Sequence, residues 1–90
     1  MKSHSSEVMP TPLLLVEDNK ADAYLLIEML EQVDEQQWQI FQAKRLSNAL
    51  EYLSHCNFSV ILLDLSLPDS KGLDTVSRIQ AAAQDIPIVV

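Results

Sequence analysis

The chain has 90 residues, of which 48% are hydrophobic and 21% charged, so its length suits one small folded domain and not two. Its formal net charge is −7 and its 6 basic residues are scattered, which argues against direct binding to nucleic acid or to an anionic membrane. No apolar run approaches the ~20 residues of a membrane span. The single cysteine, Cys56, excludes an intramolecular disulfide and favours a reducing cytoplasm. We therefore expect proteins, metal ions or phosphoryl donors as partners.

The first part of the chain predicts a tail, a strand and a helix. Residues 1–11 are polar and predict a disordered tail, and residues 12–90 form the predicted domain. The apolar run Leu13–Val16 is typical of a strand buried on both faces of a parallel sheet. Asn19 can cap a following helix. Apolar residues recur there at intervals of three and four, and two more widen the stripe: Ala23, Leu26, Leu30 and Val33, then Leu25 and Met29.

The middle of the chain alternates strand and helix patterns again. Trp38, Ile40 and Phe41 predict a second strand at the edge of the sheet. Ser47 is the predicted N-cap of a second helix, whose inward-facing residues are Ala49, Leu50 and Leu53. Residues 58–65 are rich in Val, Ile and Leu and predict the most buried strand. Cys56 is expected to be a half-buried residue near the end of this second helix.

The last part of the chain predicts a loop at residues 68–72, a third helix and a fourth strand at residues 86–90. The apolar stripe of this helix consists of Leu73, Val76, Ile79 and Ala83. Asp69 and Asp74 are interpreted as ordinary surface charges, and His4 and His55 as surface residues. The order βαβαβαβ indicates a doubly wound α/β fold with a parallel sheet between layers of helices.

Carboxylates stand where two of the apolar runs stop. Glu17 and Asp18 follow the first strand, and Asp64 ends the core of the third. Ligands of a parallel α/β sheet bind outside the carboxyl ends of the strands, so we expect these acids to meet. Like charges that close repel unless a cation compensates them, and a set of oxygen ligands without His or Cys suits Mg²⁺. The sequence therefore predicts a divalent metal site that also receives a phosphoryl group.

Two segments carry a family resemblance that covers roughly residues 12–90. The segment 14–19 (LLVEDN) and the segment 64–73 (DLSLPDSKGL) resemble the CheY-like receiver domain of two-component response regulators. The resemblance implies a flavodoxin-like sheet with strand order 2-1-3-4, and a phosphoryl group accepted on Asp64 from a histidine kinase or phosphotransfer protein. It also implies a Mg²⁺ site with Asp18 as a direct ligand, Glu17 as its acidic companion and the backbone carbonyl of Ser66 as a further ligand.

The chain departs from the receiver pattern after its fourth strand. A receiver continues to a Ser or Thr that contacts the phosphoryl group, then to a fifth strand with a Lys, whereas this chain stops at Val90. Thr75, Lys71 and Lys44 stand in the wrong elements to replace them. We expect a truncated receiver with an unpaired apolar edge at residues 86–90. An edge of this kind favours a homodimer or larger assembly.

Three classes of function follow from this interpretation. The first is a cytoplasmic signalling receiver that is not an enzyme beyond Mg²⁺-dependent gain and loss of its own phosphoryl group. The second is a phosphatase of the aspartyl-phosphate type, which needs a second Asp two residues after the nucleophile, where this chain has Ser66. The third is an interaction module that works without phosphorylation, because the switch Thr and Lys are absent from the chain.

Overall fold

The computed structural model describes residues 10–33 and 37–90, except for the side chain of Val33. The predicted tail lies outside the described residues up to residue 9, and His4 with it; Pro10 is exposed, and Thr11 already begins the first strand. In chain order the elements are β1 (Thr11–Val16), α1 (Lys20–Val33), β2 (Trp38–Ala43), α2 (Leu46–His55), β3 (Val60–Leu63), β4 (Ser66–Leu67), β5 (Ser70–Lys71), α3 (Gly72–Ala82) and β6 (Ile88–Val89).

The main sheet is parallel and has the order β2-β1-β3-β6. Because β6 is the fourth strand of this sheet along the chain, the predicted order 2-1-3-4 and the predicted α/β fold class are confirmed. The strands β4 and β5 form a separate antiparallel pair in which Ser66 lies opposite Lys71 and Leu67 opposite Ser70. We call residues 66–71 the hairpin. The sequence predicted only a loop there.

Strand β1 lies at the centre of the core. Its side chains alternate: Leu14 and Val16 belong to the cluster that α2 and α3 cover, and Leu13 and Leu15 to the cluster on the α1 side. Burying both faces explains why the apolar run is continuous. The prediction that the third strand is the most buried is wrong, because alternate residues of β3 are only half-buried. These half-buried residues lie on the α1 side of the sheet. There, α1 is the only helix that contributes residues to the described hydrophobic cluster.

The third and fourth predicted strands are longer than the observed ones, whereas β1 and β2 extend beyond their predicted bounds. Strand β3 ends at Leu63 and does not reach residue 65, and β6 contains only two residues. Phe58 is buried without being part of a strand, and its ring makes edge-to-face contacts with Phe41 and Tyr52. Hydrophobic residues that pack from the adjoining loops therefore extended the apparent strands.

Among the described side chains, which do not include that of Val33 in the predicted α1 stripe, the helices agree with their predicted stripes except at three apolar positions. Leu25 and Met29 on α1 are 58% and 59% exposed, and Leu73 on α3 is 80% exposed. Leu25 and Met29 lie one turn apart, beside the stripe that packs on the sheet, so they do not widen the buried stripe as predicted. Leu73 stands in the first turn of α3, where the buried residue is Thr75.

Of the two predicted helix N-caps, the structure confirms one and contradicts the other. The Oδ1 atom of Asn19 accepts a hydrogen bond from the amide of Asp22 at 3.0 Å, as expected of an N-cap. Ser47 is not the N-cap of α2, because the helix begins at Leu46 and Arg45 holds the cap position. Cys56 follows α2 as predicted, but it is exposed and not half-buried. Among the described residues, no helix has the length and apolar character needed to cross a bilayer.

Candidate functional site

The acidic residues meet because neighbouring strands end in register. Val16 of β1 lies opposite Leu63 of β3, and the amide of the following residue, Asp64, donates to the Val16 carbonyl at 2.9 Å. On the other side, the Glu17 amide donates to the carbonyl of Ala43 in β2 at 2.9 Å. The parallel ladders thus continue one residue past the strands and fix the backbone that carries the acids.

The side chains of Glu17, Asp18 and Asp64 form one cluster, which we call the acidic cluster. One carboxylate oxygen from each lies within 4.8 Å of the others. Glu17 is buried, Asp64 is half-buried and Asp18 is exposed. The predicted convergence of these residues at the carboxyl end of the sheet is therefore observed. Their roles as ligands stay predictions.

The carboxylates of the cluster disfavour one another's charge. Burial raises the pKa of Glu17 above its ordinary value, and the charge and hydrogen bond of Asp64 raise this pKa further. The amide of Asn19 donates to Glu17 Oε2 at 3.2 Å and opposes the rise in pKa. A hard cation would offset the repulsion, and the cluster offers only the carboxylate oxygens that such a cation prefers. These residues therefore fit Mg²⁺.

The carboxylate of Asp64 is oriented by its own loop. Its Oδ1 atom accepts a hydrogen bond from the Ser66 amide at 3.1 Å. The amide of Gly72 donates to the carbonyl of Leu65 at 3.0 Å, which closes the loop at the start of α3. Gly72 has a φ of 62°, in the left-handed region that other residues rarely adopt. The Ser66 carbonyl stays a predicted ligand.

Asp69 has a role that the sequence analysis missed. Its Oδ1 atom accepts a hydrogen bond from the Leu46 amide at 2.7 Å, and its Oδ2 atom accepts one from the Ser47 amide at 3.1 Å. The Leu46 amide is the main reason that the pKa of Asp69 lies below its ordinary value. Asp69 thus caps α2 from the hairpin. The available signal was Arg45, a poor capping residue at the position where a local cap was needed.

Gln42 also contacts the site without having been predicted. Its Nε2 atom donates to the backbone carbonyl of Glu17 at 2.9 Å across a sequence separation of 25 residues. This bond ties the end of β2 to the residue that begins the acidic cluster. No local pattern in the sequence predicts a contact of this kind, since it depends on the pairing of β1 with β2.

An apolar cleft borders the acidic cluster, and a buried threonine lies on α3. A cleft of about 250 Å³ lies beside Glu17 and Asp64, and Leu26, Leu62 and Val89 are among its apolar lining residues. Thr75 is fully buried on α3, and its hydroxyl lies 2.6 Å from the hydroxyl of Ser70. Thr75 therefore links α3 to the hairpin.

The comparisons with known proteins decide the family. The sequence model of the response regulator receiver domain matches residues 13–90. The chain belongs to this family. It is 35% identical over 78 residues to the swarming motility regulation protein RssB of Serratia marcescens. That match covers 87% of this chain and 34% of that protein, so the chain spans about a third of the length of this curated relative.

Solved receiver structures agree with the fold of this receiver domain. The non-phosphorylated receiver domain of HemR from Leptospira biflexa is 35% identical, with a TM-score of 0.69 over 87% of this chain and 60% of that one. A response regulator from Burkholderia pseudomallei, solved with a phosphorylated aspartic acid, a calcium ion and citrate, is 26% identical. Its TM-score is 0.71 over 87% of this chain and 44% of that one. Receiver domains of this family act in two-component signalling.

Proposed function

We propose that this receiver domain accepts a phosphoryl group on Asp64 in a reaction that depends on Mg²⁺. The observation that carries the proposal is the convergence of Glu17, Asp18 and Asp64 within 4.8 Å at the end of the sheet. A structural set of acids would be separated or paired with bases, whereas this cluster is left with mutual repulsion. The arrangement suits a protein that works with a bound cation.

The geometry suggests a division of roles. Glu17 and Asp18 would hold Mg²⁺ together with Asp64 and the carbonyl of Ser66. When bound, the cation supplies charge that screens Asp64 from an anionic donor and orients phosphoryl oxygens. The bond from the Ser66 amide holds Oδ1 of Asp64, so we assign Oδ2 as the nucleophile. Oδ2 forms a bond to phosphorus as the bond from phosphorus to the donor's imidazole nitrogen breaks, and that nitrogen then takes up a proton.

The relatives supply support of a general kind for this chemistry. The Burkholderia regulator carries a phosphorylated aspartic acid and a calcium ion, which is also a hard divalent cation. The phosphoryl donor would be a histidine kinase or a phosphotransfer protein, and the domain would act in the cytoplasm. We expect no turnover of unrelated phosphate esters, because Ser66 stands where the aspartyl-phosphate phosphatases need an Asp.

The experiment is incubation with acetyl phosphate and Mg²⁺, followed by intact mass measurement. We expect one phosphoryl adduct on the wild-type chain, none without Mg²⁺ and none on Asp64→Asn. Asp74→Asn is the matched control, since it removes an exposed carboxylate in the first turn of α3 outside the cluster. An adduct that persists on Asp64→Asn would contradict the assignment of the acceptor.

The second candidate function is a module that binds its partner without phosphorylation. It is favoured by the full burial of Thr75, whose hydroxyl lies 2.6 Å from that of Ser70, because a buried hydroxyl does not replace the Ser or Thr with which a receiver contacts its phosphoryl group. The same experiment separates the two functions. Mg²⁺ binding without any adduct would support the second one.

Self-association through the β6 edge stays a prediction. Val89 and Val90 are 53% and 70% exposed, and β6 pairs only with β3 among the described strands. An unpaired apolar strand edge is a template for another chain. Light scattering at high micromolar concentration tests this prediction, and a stable monomer would contradict it.

A further inference from the structure

The N-terminus of α2 lacks a cap of its own. The first amides of a helix have no partner within it, and a side chain at the N-cap position normally satisfies one of them. Arg45 occupies that position with φ −141° and ψ 160°, and its side chain makes no capping hydrogen bond. The amides of Leu46 and Ser47 instead donate to the two carboxylate oxygens of Asp69.

Asp69 belongs to the segment that leaves the acidic cluster. It lies between β4 and β5, five residues after Asp64 in the sequence, within the hairpin. Leu67 anchors the hairpin in the core, and Ser70 bonds to Thr75 on α3. The two hydrogen bonds that the Asp69 carboxylate accepts connect the hairpin to α2, the helix that follows β2. They join two segments that are more than 20 residues apart in sequence.

We propose that Asp69 is a positioning residue that holds the hairpin on α2 and thereby fixes the backbone of Ser66 and the carboxylate of Asp64. The link is direct, because the amide of Ser66, the first residue of the hairpin, donates to Asp64 Oδ1 at 3.1 Å. If the hairpin shifts, this donor and the predicted carbonyl ligand of Ser66 shift with it. The part of the inference that concerns Mg²⁺ rests on the proposed function.

A comparison of geometry supports a role beyond capping. Arg45 already has the extended backbone that N-cap residues adopt, so a Ser at position 45 would satisfy the helix locally. The cap comes instead from the loop that carries Asp64. The lowered pKa of Asp69, caused first by the Leu46 amide, agrees with a carboxylate that stays charged and bound there.

The experiment separates the cap from the positioning role with two variants. Asp69→Ala removes both functions, and the double variant Arg45→Ser with Asp69→Ala restores a cap to α2 but leaves the hairpin free. In metal-free protein, we expect hydrogen exchange at the Ser66 and Gly72 amides to rise about fivefold in Asp69→Ala. In the double variant the α2 amides should return to wild-type exchange while the hairpin amides stay fast.

A second readout concerns the metal directly. We expect the dissociation constant for Mg²⁺ to rise about fivefold in both variants, and Asp85→Ala, which removes an exposed carboxylate before β6, to match the wild type. The positioning role would be overturned if exchange at the Ser66 and Gly72 amides did not change in Asp69→Ala. It would also be overturned if exchange at these two amides returned to the wild-type rate in the double variant. If the wild-type chain binds no Mg²⁺ but the two variants show the expected exchange, the proposed function is overturned and the role of Asp69 in holding the hairpin stands.

Discussion

Carboxylates serve two regions of this molecule in opposite ways. In the acidic cluster, Glu17 is buried beside Asp64 and has a raised pKa, because burial and a second carboxylate both disfavour its charge. At the N-terminus of α2, Asp69 accepts two backbone hydrogen bonds and has a lowered pKa. In the first region carboxylates repel one another, and in the second backbone amides stabilise the charge.

The difference shows how to separate a ligand site from a structural acid within one chain. Asp69 finds its donors in its own protein, so its charge is satisfied and no ligand is needed. The acidic cluster has a donor from Asn19 to Glu17 and one from Ser66 to Asp64, and one oxygen from each of its three carboxylates lies within 4.8 Å of the others. A bound cation would supply what these amides do not.

The largest expected effect comes from removing a ligand charge from the cluster. Asp18→Asn should raise the dissociation constant for Mg²⁺ by about tenfold or more, since the affinity of such sites follows the number of charged ligands. Isothermal titration with Mg²⁺ measures it. Asp22→Asn is the matched control: it removes a nearby exposed carboxylate from α1 and should change the affinity much less. Equal losses in both variants would mean that the cluster is only a diffuse negative field.

The second prediction concerns stability without metal. A raised pKa of Glu17 in the folded state means that the unfolded chain loses this proton first. The free energy of unfolding should therefore fall as pH rises from the ordinary value of 4.5 through the folded pKa, and the cost persists above it. Glu17→Gln should remove this fall. In EDTA, the variant should be more stable than the wild type at neutral pH and equal to it below the window.

Urea unfolding at a series of pH values measures this difference. The same variant should lose affinity for Mg²⁺, so stability and metal binding should change in opposite directions. If Glu17→Gln were less stable than the wild type at every pH, this would contradict the view that the charge of Glu17 destabilises the metal-free folded protein.

The third prediction tests the opposite sign at Asp69. Because its folded pKa is lowered, its contribution to stability is present above the ordinary value of 3.8 and is lost as pH falls through the folded pKa. Asp69→Asn should therefore be less stable than the wild type at neutral pH, and the two should converge on acidification. Asp85→Asn, an exposed acid with no described bond, is the control and should follow the wild type throughout.

Sequence patterns could predict the sheet because each strand has a local pattern, and the acidic cluster because parallel strands end at the same edge of a sheet. The continuous apolar run Leu13–Val16 follows from burial of β1 on both faces. The meeting of the acids follows from the common direction of parallel strands. The caps were harder. Asn19 was predicted because it bonds within its own helix turn, whereas the cap of α2 comes from Asp69, 23 residues away from Leu46.

The apolar surface shows a second limit of such patterns. Leu25, Met29 and Leu73 have the character of core residues, and yet each is exposed. Periodicity gives the direction of a helix stripe, but its width depends on how many elements cover that side of the sheet. The described cluster on the α1 side contains only one helix, so its buried stripe is narrow.

The smallest effect is expected at Gln42, which touches the cluster only through the backbone. Gln42→Ala removes the bond to the Glu17 carbonyl, and a neutral hydrogen bond of this kind is worth about 1 kcal/mol. The dissociation constant for Mg²⁺ should therefore rise by no more than about fivefold, with no change in the pH at which Glu17 titrates. Gln39→Ala, on the same strand but exposed, should have no effect on Mg²⁺. If Gln42→Ala instead matched the loss in Asp18→Asn, the backbone of Glu17 and not its carboxylate would determine the affinity of the site.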